Sequence, residues 1–131
     1  MSQSSSAPYL PTPRPGETTW IWLIKMITGP LLVVLLALHL LVNHYLGSSA
    51  SGLMTYEDVI HYFQNPMIPV IEILFLITVV THSLIGLRGI VLDMNPSRPI
   101  LRIVTWFLSS LGILSIAYGI WLALTIASKG G

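Results

Sequence analysis

The chain contains no cysteine. That excludes disulfides, thiolate metal sites and iron–sulfur ligation by its own side chains. Charge is scarce as well. Only 8% of the 131 residues are Asp, Glu, Lys or Arg, where a soluble domain usually carries about 25%. So few charges do not cover a water-facing surface. A formal net charge of +1 leaves no electrostatic footprint for nucleic acid. What remains is apolar: 53% of residues are hydrophobic and the mean hydropathy is +0.79. The composition points to an all-α integral membrane protein.

The N-terminal stretch "MSQSSSAPYLPTPRPGETT" has no hydrophobic run and does not read as a signal peptide. Its prolines at 8, 11, 13 and 15 exclude regular helix. We read residues 1–18 as an extended cytoplasmic arm and residues 19–131 as one membrane domain. A spanning helix needs roughly 20 mostly apolar residues. Three stretches qualify, at about 19–46, 66–92 and 100–128. Thr18 or Thr19 is a suitable cap for the first. Pro66 and Pro69 fall in the first turn of the second, where a missing N–H costs little. The third carries Ser109, Gly112, Ser115 and Gly119, small residues that let helices approach closely in lipid. Between the first two spans, Tyr56, Val59, Ile60 and Phe63 recur at helical spacing after Thr55, with Glu57 and Asp58 in the first turn. This predicts a short amphipathic helix at the interface.

Arg14, Lys25, Arg88, Arg98 and Arg102 fall on the side of the N-terminus and the loop "DMNPSRP". The positive-inside rule then puts that side in the cytoplasm and the C-terminus outside. The localisation expected is the inner (cytoplasmic) membrane.

The polar residues inside the spans carry the functional argument, because ionisable groups in hydrocarbon are expensive and usually functional. On a helical wheel, Gly86, Gly89 and Asp93 all fall within about 40° of His82 and share its stripe. Asp93 lies about 16 Å below His82. Thr28 and Lys25 likewise fall within about 40° of His39. Each stripe has a histidine deep in the membrane and polar groups toward the cytoplasmic mouth. The two histidines differ in depth by about 14 Å, too far to share one small ion. Neutral imidazole is a good axial ligand for haem iron, and the glycines near His82 leave room for a flat macrocycle. One chain supplies one deep histidine per level, so a partner chain must supply the opposite ligands.

Blander readings compete. A buried histidine often only bonds a neighbour, such as Thr78 for His82 or Asn43 for His39. Gly86 and Gly89 can be plain packing contacts, and Lys25 and Arg88 can snorkel to the interface. His44 and His61 read as solvated. Glu72, about two turns into the second span, faces either the outer interface or a partner. The alternative function is a cofactor-free structural subunit, or a proton conductor using His39, Glu72 and His82.

"HSLIGLRGIVLD" resembles the second-helix motif of the membrane-anchor (cytochrome b) subunits of succinate dehydrogenase and fumarate reductase, the respiratory complex II family. His82, Gly86, Leu87, Arg88 and Asp93 match it. Lys25, Thr28 and Gly29 are similar to the family's basic-x-x-Ser/Thr-Gly start of the first helix. Met94 stands where many members have a quinone-contacting tyrosine, and Lys25 where arginine is usual.

The resemblance implies a three-helix anchor bundled with a second anchor subunit and joined to an iron–sulfur subunit and a flavoprotein that oxidises succinate. A trimer of heterotetramers is common in the family. His82 is implied as a ligand to haem b iron, and His39 as the ligand of a second haem. Arg88 is implied at a haem propionate or quinone. Lys25, Thr28 and Asp93 are implied at the quinone site or a propionate. Two-haem anchors often go with menaquinone. No residue of this chain is expected to be catalytic; succinate oxidation belongs to another subunit.

Overall fold

The computed structural model describes residues 17–46 and 54–129. The expected N-terminal arm lies outside them, apart from Glu17 and Thr18. Four helices and no strand occur among the described residues. They are α1 (Thr19–Leu46), α2 (Tyr56–Phe63), α3 (Met67–Asp93) and α4 (Arg98–Ser128). α1, α3 and α4 are long and apolar enough to cross a membrane, with mean hydropathies of 2.3, 2.2 and 1.9. All three are apolar around their circumference, as lipid-embedded helices are. Large side chains such as Val33, Ile90, Ile103 and Leu114 are exposed in the single chain.

Local chemistry fixes the helix ends. The expected amphipathic helix is present as α2. Thr55 accepts from the Asp58 N–H, and the Asp58 carboxylate accepts from the Thr55 N–H at 2.8 Å. This reciprocal box satisfies two orphan donors at once. It also holds the exposed Asp58 carboxyl below its ordinary range. α3 begins at Pro66, with no side-chain cap. It stops where Asn95 turns left-handed, at φ 51°, just before Pro96. Asn tolerates that conformation better than most residues, and proline cannot continue a helix. α4 starts two residues earlier than the apolar pattern predicts, at Arg98, because Pro99 is acceptable in a first turn. Pro30 sits inside α1, leaving one carbonyl of the preceding turn without its donor. Membrane helices tolerate this where neighbours supply polar groups.

α1 and α4 both pack along α3, while α2 lies against α4 and the N-terminal part of α3. The two long seams differ in kind. On the α3–α4 seam, Gly112 and Gly119 meet α3 directly. A Cβ at Gly112 would sit 2.7 Å from Leu84 Cδ1, and one at Gly119 would overlap Leu76. The sequence expectation of close approach therefore holds at these two glycines. Ser109 is exposed on the same helix. On the α1–α3 seam the contacts that matter are polar, and they form the candidate site.

Candidate functional site

Two polar contacts join α1 to α3 at two heights. At the height nearer the N-terminal end of α1, the inner one in the expected orientation, His82 Nδ1 lies 3.0 Å from Thr28 Oγ1. The Thr28 hydroxyl already donates to the Ile24 carbonyl at 2.7 Å. Its oxygen is thus left to accept, and the bond runs from His82 Nδ1–H to Thr28. That fixes the tautomer and leaves the Nε2 lone pair available, since the second nitrogen of a neutral imidazole is the acceptor. Nε2 makes no hydrogen bond among the described residues. Gly29 flanks the ring: a Cβ there would lie 3.6 Å from His82 Cε1. Gly86, one turn below His82, faces open space, with nothing within 4 Å of a Cβ built on it. Gly89 is buried.

At the other height, the outer one in the expected orientation, His39 Nδ1 lies 2.8 Å and 3.0 Å from the two Glu72 carboxyl oxygens. The His39 ring stacks on Phe75, with centroids 4.8 Å apart. Asn43 donates to the His39 carbonyl at 2.8 Å, one turn back, and its amide lies 3.4 Å from Glu72. Tyr62 of α2 donates to Glu72 at 3.1 Å. Burial pushes the Tyr62 phenol well above its ordinary value, and the neighbouring Glu72 carboxyl adds to that. Thr28 and His39 are eleven residues apart on α1, so the two heights are separated by roughly 16 Å.

A third group gathers where the end of α3 meets the start of α4. Arg88 donates through Nε to Thr105 at 3.2 Å. Arg88, Arg98 and Arg102, with Trp106, line one cleft of about 290 Å³. Arg88 also borders a larger apolar cleft of about 420 Å³ between α3 and α4. Lys25 is paired with Glu17 at 2.7 Å. Asp93 is exposed at the end of α3.

Several partners differ from the sequence expectation. Thr78 bonds back to the Leu74 carbonyl, so His82 is held by Thr28 across the seam and not by its own helix. Asn43 does lie beside His39, as expected, but the shorter contact of that ring is to Glu72. Glu72 and Tyr62 had no assigned partner from sequence. Arg98 and Arg102 were read only as topology signals, although their i, i+4 spacing beside a loop that returns to Arg88 was already visible.

Residues 2–126 match the family described as succinate dehydrogenase/fumarate reductase transmembrane subunit. The chain belongs to this family. It is also 30% identical over 105 residues to the succinate dehydrogenase hydrophobic membrane anchor subunit of Archaeoglobus fulgidus, covering 80% of this chain and 87% of that protein. No solved structure matches it. The anchor is therefore a multi-pass membrane protein of an oxidoreductase complex, and partner subunits follow from that membership.

Chemically, the two histidines of the anchor are alike in one respect. Each has Nδ1 committed to an oxygen on the facing helix, the arrangement that orients a metal-ligating imidazole through its other nitrogen. Among the described residues no three His, Asp or Glu side chains converge as a metal cage. Each height offers one ring, which suits a cofactor held jointly with another chain.

Proposed function

We propose that the anchor supplies one axial ligand to each of two b haems, His82 at the inner height and His39 at the outer, with a second anchor subunit supplying the opposite ligands. The observation that carries this reading is the capture of both Nδ1 atoms by α1–α3 partners, which leaves Nε2 to ligate; His82 Nε2 has no hydrogen bond among the described residues, and at His39 Nε2 the Asn43 amide, 3.4 Å away, is the one contact a ligated metal would displace. The open space beside Gly86 fits a flat group next to His82. Haem held by His82 and His39 together with a partner chain would supply one-electron relay between the heights.

The remaining residues divide by place. The one proton of the Thr28 hydroxyl goes to the Ile24 carbonyl and one oxygen lone pair faces His82, so Thr28 supports His82 and stays a candidate for the quinone site or a propionate beside it. Arg88, with Arg98 and Arg102, offers guanidinium groups to a carboxylate such as a propionate. Lys25 and Asp93 stay as candidates for the quinone site at the cytoplasmic face, where Asp93 would relay protons taken up on quinone reduction. Menaquinone is the favoured quinone. In this reading the N-terminus is cytoplasmic, the C-terminus outside, and the iron–sulfur and flavoprotein subunits of succinate:quinone oxidoreductase dock on the inner face, with the assembly forming trimers.

Proton conduction through this chain alone is less well supported. Residues 29–38 of α1, between the two heights, carry no proton-bearing side chain, and Thr78 opposite them is committed to its own helix. The test is a reduced-minus-oxidised visible spectrum of the isolated complex. The b-type bands should fall by about half in His82→Ala and again in His39→Ala, since each removes one ligand. A colourless complex with all subunits present would overturn the proposal. A haem content untouched by His39→Ala would reduce it to one haem.

A further inference from the structure

The two rings differ in what holds them. Thr28 is a neutral alcohol. Glu72 is a carboxyl inside a span, with a side chain only 17% exposed. A carboxylic acid would need an acceptor for its own proton. Three groups can donate to Glu72 at once: the Tyr62 hydroxyl at 3.1 Å, the Asn43 amide at 3.4 Å and, in its Nδ1–H tautomer, His39 at 2.8 Å, and only the ionised carboxyl accepts from all three without giving up an oxygen to its own proton. That is the surrounding of a carboxylate.

We infer that Glu72 is a positioning residue for His39: its carboxylate fixes the Nδ1–H tautomer and drives electron density onto Nε2, while Tyr62, reaching in from α2, limits that push. This rests on the reading of His39 as a haem ligand. A carboxylate bonded to the far nitrogen of a ligating histidine raises the ligand's basicity. A more basic axial ligand and a nearby negative charge both favour the oxidised iron and lower the reduction potential. Tyr62 draws part of the carboxylate's charge into its own hydrogen bond, so the histidine receives less of it. Members of such a network polarise one another. The short α2 helix thereby acquires a task. Its capped first turn fixes the helix that carries Tyr62, which is buried at 5% exposure.

A structural pin and an electronic tuner make different forecasts. If Glu72 merely ties α1 to α3, Glu72→Gln and Tyr62→Phe both loosen the seam and act in the same direction. If it tunes His39, they act in opposite directions. Gln keeps the shape and removes the charge; Phe removes a donor and leaves the charge concentrated on His39.

The experiment is an optical redox titration of the b bands in the whole isolated complex, with haem counted chemically in each variant. His39→Ala identifies the component that belongs to the outer height, as the one it abolishes. In Glu72→Gln that component should move to higher potential, and in Tyr62→Phe to lower potential, with the other component unmoved in both. Loss of the outer haem alone in Glu72→Gln supports the positioning role, and the sign in Tyr62→Phe then decides the tuning. Two retained haems whose potentials ignore both substitutions overturn the inference, as do shifts of the same sign or a shift in the component that survives His39→Ala. A wild-type complex with one haem, indifferent to His39→Ala, overturns it by a distinct route, because the ligand reading itself then fails.

Discussion

The two long seams of the anchor are built from opposite materials. Between α3 and α4 the contact is apolar along its middle and depends on missing side chains, at Gly112 and Gly119, with the Arg88–Thr105 hydrogen bond confined to one end. Between α1 and α3 it runs through the pairs Thr28–His82 and His39–Glu72. Lipid offers no hydrophobic drive for helices to associate, so close packing and interhelical hydrogen bonds must do it. The anchor uses one means on each side of α3. The difference separates structure from chemistry within the spans: where the helices hold by shape, at Gly112 and Gly119, no side chain is left to offer a cofactor, whereas where they hold by imidazole a ring nitrogen is left over.

The strongest way to break this comparison is at Gly119. A Cβ there overlaps the Leu76 side chain, with Leu76 Cγ also only 3.4 Å away. Gly119→Leu should prevent α4 from docking, and no assembled complex should be recovered from membranes. Overpacking of a close-packed site costs about 1–3 kcal/mol and occasionally more. Leu76→Ala in the same chain should restore part of the yield. A Gly119→Leu complex that assembles normally would mean that α3 and α4 are not held by close approach. Gly112→Ala should do far less, because the atom it meets is the free end of Leu84.

The next test falls on the other seam. Thr28→Val keeps the shape and removes the acceptor for His82. Loss of an outer-shell partner typically costs 10–100-fold in affinity for the bound group, so Thr28→Val should retain haem that much more weakly, while Thr28→Ser retains it normally. Gly119→Ala should not change haem retention in whatever complex it allows to form. If Thr28→Val only lowers thermal stability and leaves haem retention unchanged, both seams are structural and the distinction fails.

These contacts also show what the sequence could and could not disclose. Hydropathy marks the three spans, and the stripe of Ser109, Gly112, Ser115 and Gly119 marks a packing face. Helical periodicity even puts His82 and Gly86 on one stripe. It does not give the rotation or the height of one helix against the next. His82 meets Thr28 across 54 residues, and His39 meets Glu72 across 33. Both contacts depend on the antiparallel register of α1 and α3. Glu72 lies about six turns from Asp93, the other acid of its helix, and only the neighbouring helices give it partners. Tyr62 lies off the apolar stripe of Tyr56, Val59, Ile60 and Phe63 and carries no signal until α2 is laid against α3. Thr55 and Asp58 were legible because a capping box is a contact over three residues and needs no tertiary register.

That local box yields the smallest effect, and it falls outside both seams. Thr55→Ala removes the side-chain acceptor at the start of α2, a loss worth about 1 kcal/mol of helix stability. Because α2 carries Tyr62 to Glu72, the Thr55→Ala complex should show faster amide exchange in α2 and a weakened Tyr62 contact, with both long seams intact. Acid should reproduce this from the other partner. The Asp58 carboxyl is held below its ordinary value of 3.8 by the Thr55 N–H and then the Thr55 hydroxyl. A group whose folded pKa is depressed stabilises the folded form above its unfolded value and loses that contribution as the pH falls through the folded one. Protection of α2 amides should therefore be constant above about pH 4 and decline only below it. In Asp58→Asn the pH dependence in that window should flatten, with lower protection throughout. Should the wild-type helix instead loosen between pH 5 and 7, the carboxyl would not be held below its ordinary range, and the capping box would not be what secures the start of α2.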